Sequence, residues 1–506
     1  MLVSKQRCIH EFGSIALFAA VIRWIISLHP YSGQGKPPLH GDFEAQRHWM
    51  EITYNLPAAE WYHNTSNNDL NYWGLDYPPL TAYHSWICGF IASLINPSWV
   101  ALPESRGIET ESHKLFMRTT AIVADILIYF PAIFALVYQR RTVHGGFPYI
   151  LRICAEACVA LLAPPQILID HGHFQYNCIS LGLTAWAIFA INRRQDVVAA
   201  VLFSLALNYK QMCLYLAFPF FFYLLGKCWQ LPLGNGLRKL AAIGSAVIVT
   251  FIVCWLPFLT SLNDAGQVLH RLFPFARGIF EDKVANIWCA LNILIKLRSW
   301  NISTLATASS IITLALCSIS CCDLFRKPNE QKFKYCLLNC GLLFFLFSFQ
   351  VHEKGILLAA LPATLLLSDD GLACTWFIAA ATFSMFPLLL KDGLAIPCFA
   401  TVILFMAFSY AFILWKFKEP EDRDRDETEA IQYDLFTALM VLSLSGFAGL
   451  SLACEFAPVY PRLPDLWPLL LSVYACGHFI LFAIYFHLRQ FSAEPLKVGR
   501  KLAKKE

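Results

Sequence analysis

Four groups of polar residues, set in an otherwise apolar chain, have the types that proton transfer and anion binding require. The first is Asp42, Glu44, Arg47 and His48, close together in the stretch His40 to Pro79 (HGDFEAQRHWMEITYNLPAAEWYHNTSNNDLNYWGLDYPP). A carboxylate there could accept a proton from a hydroxyl, and a guanidinium could hold an oxyanion. The second is Asp76, just ahead of Tyr77-Pro78-Pro79. Adjacent prolines lack amide donors and force the chain before them extended, so Asp76 belongs to a rigid turn rather than a helix. The third is HRLFPFARGIFEDKVANIWC at 270–289, where Arg271, Arg277 and Lys283 alternate with Glu281, Asp282 and aromatic rings. Cations mixed with rings suit an amphiphilic ligand with a phosphate head, and an interfacial helix anchored by Arg, Lys and Trp288 explains the same composition. The fourth is Gln350-Val351-His352-Glu353-Lys354. A lone His is usually structural, whereas His352 beside Lys354 is suited to phosphate contact.

The elements that must position these groups follow from composition. The chain has 506 residues, of which 57% are hydrophobic and only 15% charged. Apolar run follows apolar run, which defines an all-α polytopic membrane protein and excludes a soluble one. The net charge of +4 is small and no basic patch with stacking aromatics occurs, so nucleic acid is not an expected partner; the lipid bilayer is. Lys5 and Arg7 precede an apolar span near Phe12 to Leu28 with no small-residue cleavage site after it, as in an uncleaved anchor.

Further spans are predicted near 115–138, 149–164, 177–191, 197–208, 211–226, 239–260, 303–322, 335–350, 354–368, 373–390, 395–415, 436–454 and 466–488. If the apolar stretches 80–95 and 286–297 lie along the interface, about fourteen crossings remain. Both termini are then cytosolic, along with Arg140-Arg141, Arg193-Arg194, Lys227 to Lys239, Arg326 to Lys334, Lys416 to Arg425 and the tail Lys497 to Lys505. The opposite side receives the first loop (30–114), the 170–177 segment, the loop 261–302, Val351 to Lys354 and Lys391-Asp392-Gly393. Both glycosylation sequons, Asn64-Thr65-Ser66 and Asn301-Ile302-Ser303, fall there too. The whole of 1–506 reads as a single integral membrane domain, with an acidic cytosolic loop at 416–435.

Two features carry no chemistry on this reading. The 18 cysteines lie mostly within apolar runs, and pairs such as Cys154/Cys158, Cys317/Cys321 and Cys336/Cys340 read as packing residues, with no CxxC and no His at zinc spacing. Cys88 and Cys289 lie where an oxidising compartment would reach them, though no bridge is expected. The Asp-x-Asp triplets of Glu419 to Glu429 sit in a sign-alternating loop that solvation explains.

HGDFEAQRHW, WGLDYPPLTAYHS, DHGHFQYN, NYKQM, RLFPFARGIFEDKVANIWC and FQVHEK together resemble the endoplasmic reticulum glucosyltransferases that use dolichyl-phosphate glucose, of the GT-C fold. The resemblance runs from about Tyr31 to Ile484 and is stronger to the members that add the first glucose to the nine-mannose lipid-linked oligosaccharide than to the sister α-1,3-glucosyltransferase that adds the second. It implies a first loop whose interfacial helices cover a bundle of transmembrane helices, in keeping with the fourteen crossings read from charge, an endoplasmic reticulum membrane location, and a lumenal active site.

The implied reaction moves glucose from dolichyl-phosphate glucose, a co-substrate rather than a cofactor, to the terminal mannose of the dolichyl-pyrophosphate-linked oligosaccharide. A β-linked donor and an α-linked product require inversion, hence one base. By its place in the family motif that base is Asp42. The departing phosphate needs charge compensation, for which His352, Arg271, Lys283 and Lys354 are available and Lys210 is a weaker candidate. Glu44, Arg47, Asp76 and Glu281 are expected to hold sugar hydroxyls or orient those cations. No metal is expected, although Asp42-x-Glu44 resembles the acidic pair of metal-using relatives. The polyisoprenyl tail calls for a sideways opening, which Phe residues of 211–226 and 335–350 could line, most of them serving instead as core or lipid-facing packing. Two rivals remain, a polytopic transporter and a non-catalytic scaffold; most charges sit at one face, against a transporter, and the embedded Arg23, Arg118 and Asp125 are read as an internal ion-pair cluster.

Overall fold

The computed structural model describes residues 2–139, 147–273, 283–417 and 427–493. Arg140-Arg141, Arg277, Glu281, Asp282, most of the acidic run after Glu419 and the basic tail lie outside the described residues.

Among the described residues the regular structure is helical. In chain order the α-helices are α1 (Leu2–Ser27), α2 (Gly41–Asn55), α3 (Pro79–Ile95), α4 (Glu111–Ala124), α5 (Phe130–Gln139), α6 (Phe147–Leu161), α7 (Pro164–Ile167), α8 (Asn177–Asn192), α9 (Asp196–Tyr209), α10 (Ala217–Trp229) and α11 (Leu233–Trp255). The second half continues with α12 (Leu262–Leu272), α13 (Ile287–Leu291), α14 (Ile302–Arg326), α15 (Glu330–Phe347), α16 (Leu357–Leu365), α17 (Gly371–Ser384), α18 (Phe386–Lys391), α19 (Ala395–Phe417), α20 (Glu427–Phe456) and α21 (Leu466–Ser492). Eight of the described helical segments are long and apolar enough to cross a membrane, and a ninth if the pair Leu151–Leu161 and Pro164–Phe174, bent by 46°, counts as one span. The shorter apolar helices 177–192, 196–209 and 371–384 add to the bundle. This is a multi-pass membrane protein.

Several interior positions are shaped by steric need. Gly89 of α3 lies where a Cβ would come within 2.6 Å of the Met50 carbonyl oxygen, so α2 and α3 pack at backbone distance. Cys88, Gly89 and Ala92 are buried, with Gly89 against α2, while Trp86, Ile87, Phe90, Ile91, Leu94 and Ile95 remain exposed. That split leaves α3 one apolar outer face.

Inside the bundle, Arg23 donates from Nε to Asp125 Oδ2 at 2.5 Å, from Nη2 to Gln166 Oε1 at 2.8 Å and from Nη1 to the Leu161 carbonyl at 3.0 Å. Asp125 begins a π-helical turn, Asp125–Tyr129, and His171 of a second one, Leu168–Phe174, lies 2.7 Å from the same carboxylate. Both partners are 0% exposed. A charge in lipid surroundings persists only when paired, and this pair joins α1, the α4–α5 span and the bent segment. Arg118 is not part of it: its Nη2 donates to the carbonyls of His29, Pro30 and Gly172, where the first loop begins.

Candidate active site

Asp42 owes its position to a local turn. His40 (φ 58°) and Gly41 (φ 69°) are both left-handed, which swings the chain abruptly into α2 with Asp42 in its first turn. A Cβ on Gly41 would meet the Ser32 carbonyl carbon at 2.7 Å, so only glycine fits beside that strand of the loop. The Ser32 hydroxyl accepts the Asp42 amide at 3.3 Å, holding the turn closed.

Three side-chain nitrogens from two distant segments converge on one oxygen of Asp42. Lys354 Nζ lies 2.5 Å from Oδ2, Gln175 Nε2 donates to it at 2.7 Å, and His173 Nε2 is 3.1 Å away. Among the described residues no hydrogen-bond donor reaches Oδ1, and the side chain is 26% exposed. One carboxylate oxygen is therefore anchored and the other open. Burial works against the charge on Asp42, but the Lys354 ammonium and the His173 imidazole outweigh it and hold the carboxyl well below the usual carboxylate range.

The anchoring donors are themselves fixed. His173 Nδ1 sits 2.6 Å from Asp392 Oδ2, so a carboxylate–imidazole–carboxylate chain runs from the 391–393 turn to Asp42. Gln175 Oε1 accepts from Lys210 Nζ at 3.0 Å, and Lys210 also donates to Asn177 Oδ1 at 2.5 Å. Between His173 and Gln175, Phe174 takes φ 89°, a conformation that costs a non-glycine residue about 1–3 kcal/mol. It turns the chain so that both neighbours reach the same carboxylate, and the ring is clamped by Phe43 (centroids 4.8 Å apart) and Tyr176 (5.4 Å). Asp170 closes the turn by accepting the Asn177 amide at 3.0 Å and the Cys178 amide at 2.7 Å, the first donors of α8.

The other sequence-predicted site residues lie as follows. His352 is two residues from Lys354, partly exposed, with Nδ1 2.8 Å from Glu353 Oε2. Arg271 donates to the carbonyls of Gly74 (2.7 Å) and Leu75 (3.2 Å), tying α12 to the first loop beside Asp76. The Asp76 carbonyl accepts from Gln211 at 3.0 Å. Glu44 and Arg47 turn the other way, into the α2–loop core. Arg47 forks onto Glu44 (2.8 and 2.6 Å), pairs with Glu51 (2.6 Å) and donates to Ser105, and Tyr72 OH donates to Glu44 at 2.8 Å. Residues two apart on a helix point in different directions, so Asp42 and Glu44 do not share a ligand space. Lys283 pairs with Asp465 at 2.8 Å, near the start of α21. Glu281 is outside the described residues.

Sequence reasoning did not single out His173, Gln175 or Asp392. The available signal was the density of polar residues in Asp170 to Asn177 and in Lys391-Asp392-Gly393, both at the ends of apolar spans. A groove of about 440 Å³ opens between α10, α14 and α15. Leu214, Phe218, Phe221, Leu314 and Phe344 line it, with Ser348 at the end of α15 that leads to His352 and Lys354.

Fold and site thus define a multi-pass membrane protein with a carboxylate-centred polar site at one end of its helix bundle. Residues 19–485 match the ALG6, ALG8 glycosyltransferase family. The chain is 46% identical over 487 residues to the Gallus gallus protein named dolichyl pyrophosphate Man9GlcNAc2 alpha-1,3-glucosyltransferase, covering 93% of this chain and 95% of that one. It is 46% identical to a Drosophila melanogaster protein named as a probable enzyme of the same description (96% and 99% covered), and 44% identical to one from Arabidopsis thaliana (95% and 90%). The chain belongs to the ALG6, ALG8 glycosyltransferase family.

Proposed function

We propose that the protein transfers glucose from dolichyl-phosphate glucose to the terminal mannose of Man9GlcNAc2 dolichyl pyrophosphate, forming an α-1,3 bond. The observation that carries this reading is the Asp42 carboxylate, pinned through Oδ2 by Lys354, His173 and Gln175 with Oδ1 open. In one in-line displacement Oδ1 takes the proton of the mannose 3-hydroxyl as that oxygen bonds to glucose C1. The C1–O bond to phosphate breaks, and its electron pair stays on the phosphate oxygen. Lys354 and His352 compensate that charge, with Arg271 and Lys283 at greater remove. No resident metal enters this account, because cations already face the departing group.

A phosphate that draws Lys354 toward itself also weakens that cation's hold on Asp42. The carboxylate then becomes a stronger base when the donor is in place. The apolar groove ending at Ser348 suits the polyisoprenyl tail, since it keeps isoprene units in the membrane while the phosphate reaches Lys354. The site end of the bundle carries exposed Asn64 and Asn301 of both sequons, and Arg193, Lys227, Lys239, Arg326 and Lys334 lie toward the other end. By the positive-inside rule this distribution supports a site on the non-cytosolic side, which for this family's lipid-linked substrate is the endoplasmic reticulum lumen, with both termini in the cytosol.

The test uses purified protein in liposomes with labelled dolichyl-phosphate glucose and a Man9GlcNAc2 lipid acceptor. One added hexose, removable by an α-1,3-glucosidase, is expected. Transfer only to an acceptor that already carries one glucose would replace this reading with the second-glucose reaction, and no transfer to either would overturn it.

A further inference from the structure

At the opposite end of the bundle from Asp42, two cysteine pairs that look unrelated in sequence meet face to face. Cys317 and Cys321 are one turn apart on α14, and Cys336 and Cys340 one turn apart on α15. The α14–α15 hairpin places the second pair against the first. Cys321 Sγ lies 3.7 Å from Cys340 Sγ and 4.0 Å from Cys336 Sγ, and the ligand atoms of these three all fall within 4.8 Å of one another. Cys317 lies one turn before Cys321 on the same helix and is equally buried. All four are at most 1% exposed. Among the described residues this is the one group of three or more His, Cys, Asp or Glu side chains with metal-ligand spacing.

We propose that Cys321, Cys336 and Cys340 bind a thiophilic d10 cation, Zn2+ or Cu+, that staples α14 to α15, and that Cys317, one turn from Cys321, turns in as a fourth donor when the cation binds. A tetrahedral site with metal–sulfur bonds of about 2.3 Å has sulfurs about 3.8 Å apart, a value that lies between the two observed separations. Sulfur donors and burial select soft cations over Mg2+ or Ca2+. The supporting residues are also fixed. Asn339, beside Cys340, donates to Ser320, beside Cys321, at 3.2 Å and to Gln490 of α21 at 2.9 Å. Gln490 in turn donates to the Ser320 carbonyl at 2.8 Å and to Asp323 at 3.1 Å. These bonds set the register of three helices on the residues flanking the sulfurs, as an outer shell does for a metal centre. On binding, each sulfur that becomes a thiolate releases one proton to solvent at the nearby hairpin. No electron is transferred, so no oxidant is required.

Full-length protein is purified through a peptide tag that does not bind metal, in buffers without chelator, and its metal content measured by mass spectrometry. About one zinc or copper per chain is expected in the wild type and in Cys322→Ser, whose side chain on α14 is exposed. A content below about one tenth is expected in the double variant Cys336→Ser/Cys340→Ser. For wild type alone, a membrane-permeant chelator should expose the four thiols to maleimide labelling and lower the unfolding temperature. A wild type without metal, a double variant that keeps it, or thiols labelled equally with and without chelator overturns the proposal, as does an intact mass showing the cysteines joined as disulfides.

Discussion

Two aspartates in this protein each anchor a network drawn from distant parts of the chain, and they differ in what remains open. Asp125 has both oxygens engaged: Oδ2 by Arg23 and His171, and both by Gln166 at 3.2 Å. It is fully buried and reaches no open space. Asp42 has three nitrogens on one oxygen and none among the described residues on the other, at a position with access to water. A saturated carboxylate can only fix helices relative to one another. A half-saturated one can be held rigid and still accept a proton.

If that contrast is correct, substitutions should separate stability from chemistry. The largest effect on stability is expected from Arg23→Met. Removing one partner of a buried ion pair leaves the other charge uncompensated at about 3–5 kcal/mol. The measurement is thermal or denaturant unfolding in detergent, with transfer per folded molecule unchanged. Equal loss of specific activity in well-folded Arg23→Met would erase the contrast.

Somewhat smaller is Lys354→Met, expected to lower kcat about 10²–10³-fold, the range for removing one donor to a developing oxyanion. It also carries a pH signature. Asp42 is depressed, so it stays charged down through the ordinary carboxylate range, and the wild-type rate should show no acid limb from it there. Without the Lys354 ammonium, burial is less opposed and the Asp42 pKa rises. The acid limb of kcat/KM should then move to higher pH in the variant. An unchanged limb would mean that Lys354 does not control the charge on Asp42.

The smallest expected effect is that of Gly89→Ala, about 1–3 kcal/mol of stability from forcing α3 away from α2. Because α2 carries Asp42, kcat should fall more than the donor KM rises.

What the sequence made legible divides along the same line. Composition and loop charge were enough to establish the membrane-spanning helical class, and motif wording pointed to Asp42, Lys354 and the family. Pairings across the bundle were not legible, because spacing says nothing about which helices become neighbours. Glu44 and Arg47 look like site residues beside Asp42, yet helix rotation sends them into a buried fork with Glu51 and Tyr72. Arg23, Arg118 and Asp125 look like one cluster, yet Arg118 binds backbone carbonyls elsewhere. His173 and Asp392 are 219 residues apart and meet only in three dimensions. The cysteine pairs of α14 and α15 read as packing for the same reason. Each is unremarkable on its own helix.

The central claim is that Asp42 takes the acceptor proton while other residues hold substrate and fold. Its most direct test is single-turnover glucose transfer by Asp42→Asn beside wild type, with donor binding and unfolding temperature measured on the same samples. Asparagine keeps the shape and can still meet Gln175 but cannot accept the proton. Transfer should fall about 10²–10⁴-fold, with donor affinity and stability close to wild type. A folded, donor-binding Asp42→Asn that transfers glucose at the wild-type rate would contradict the assignment.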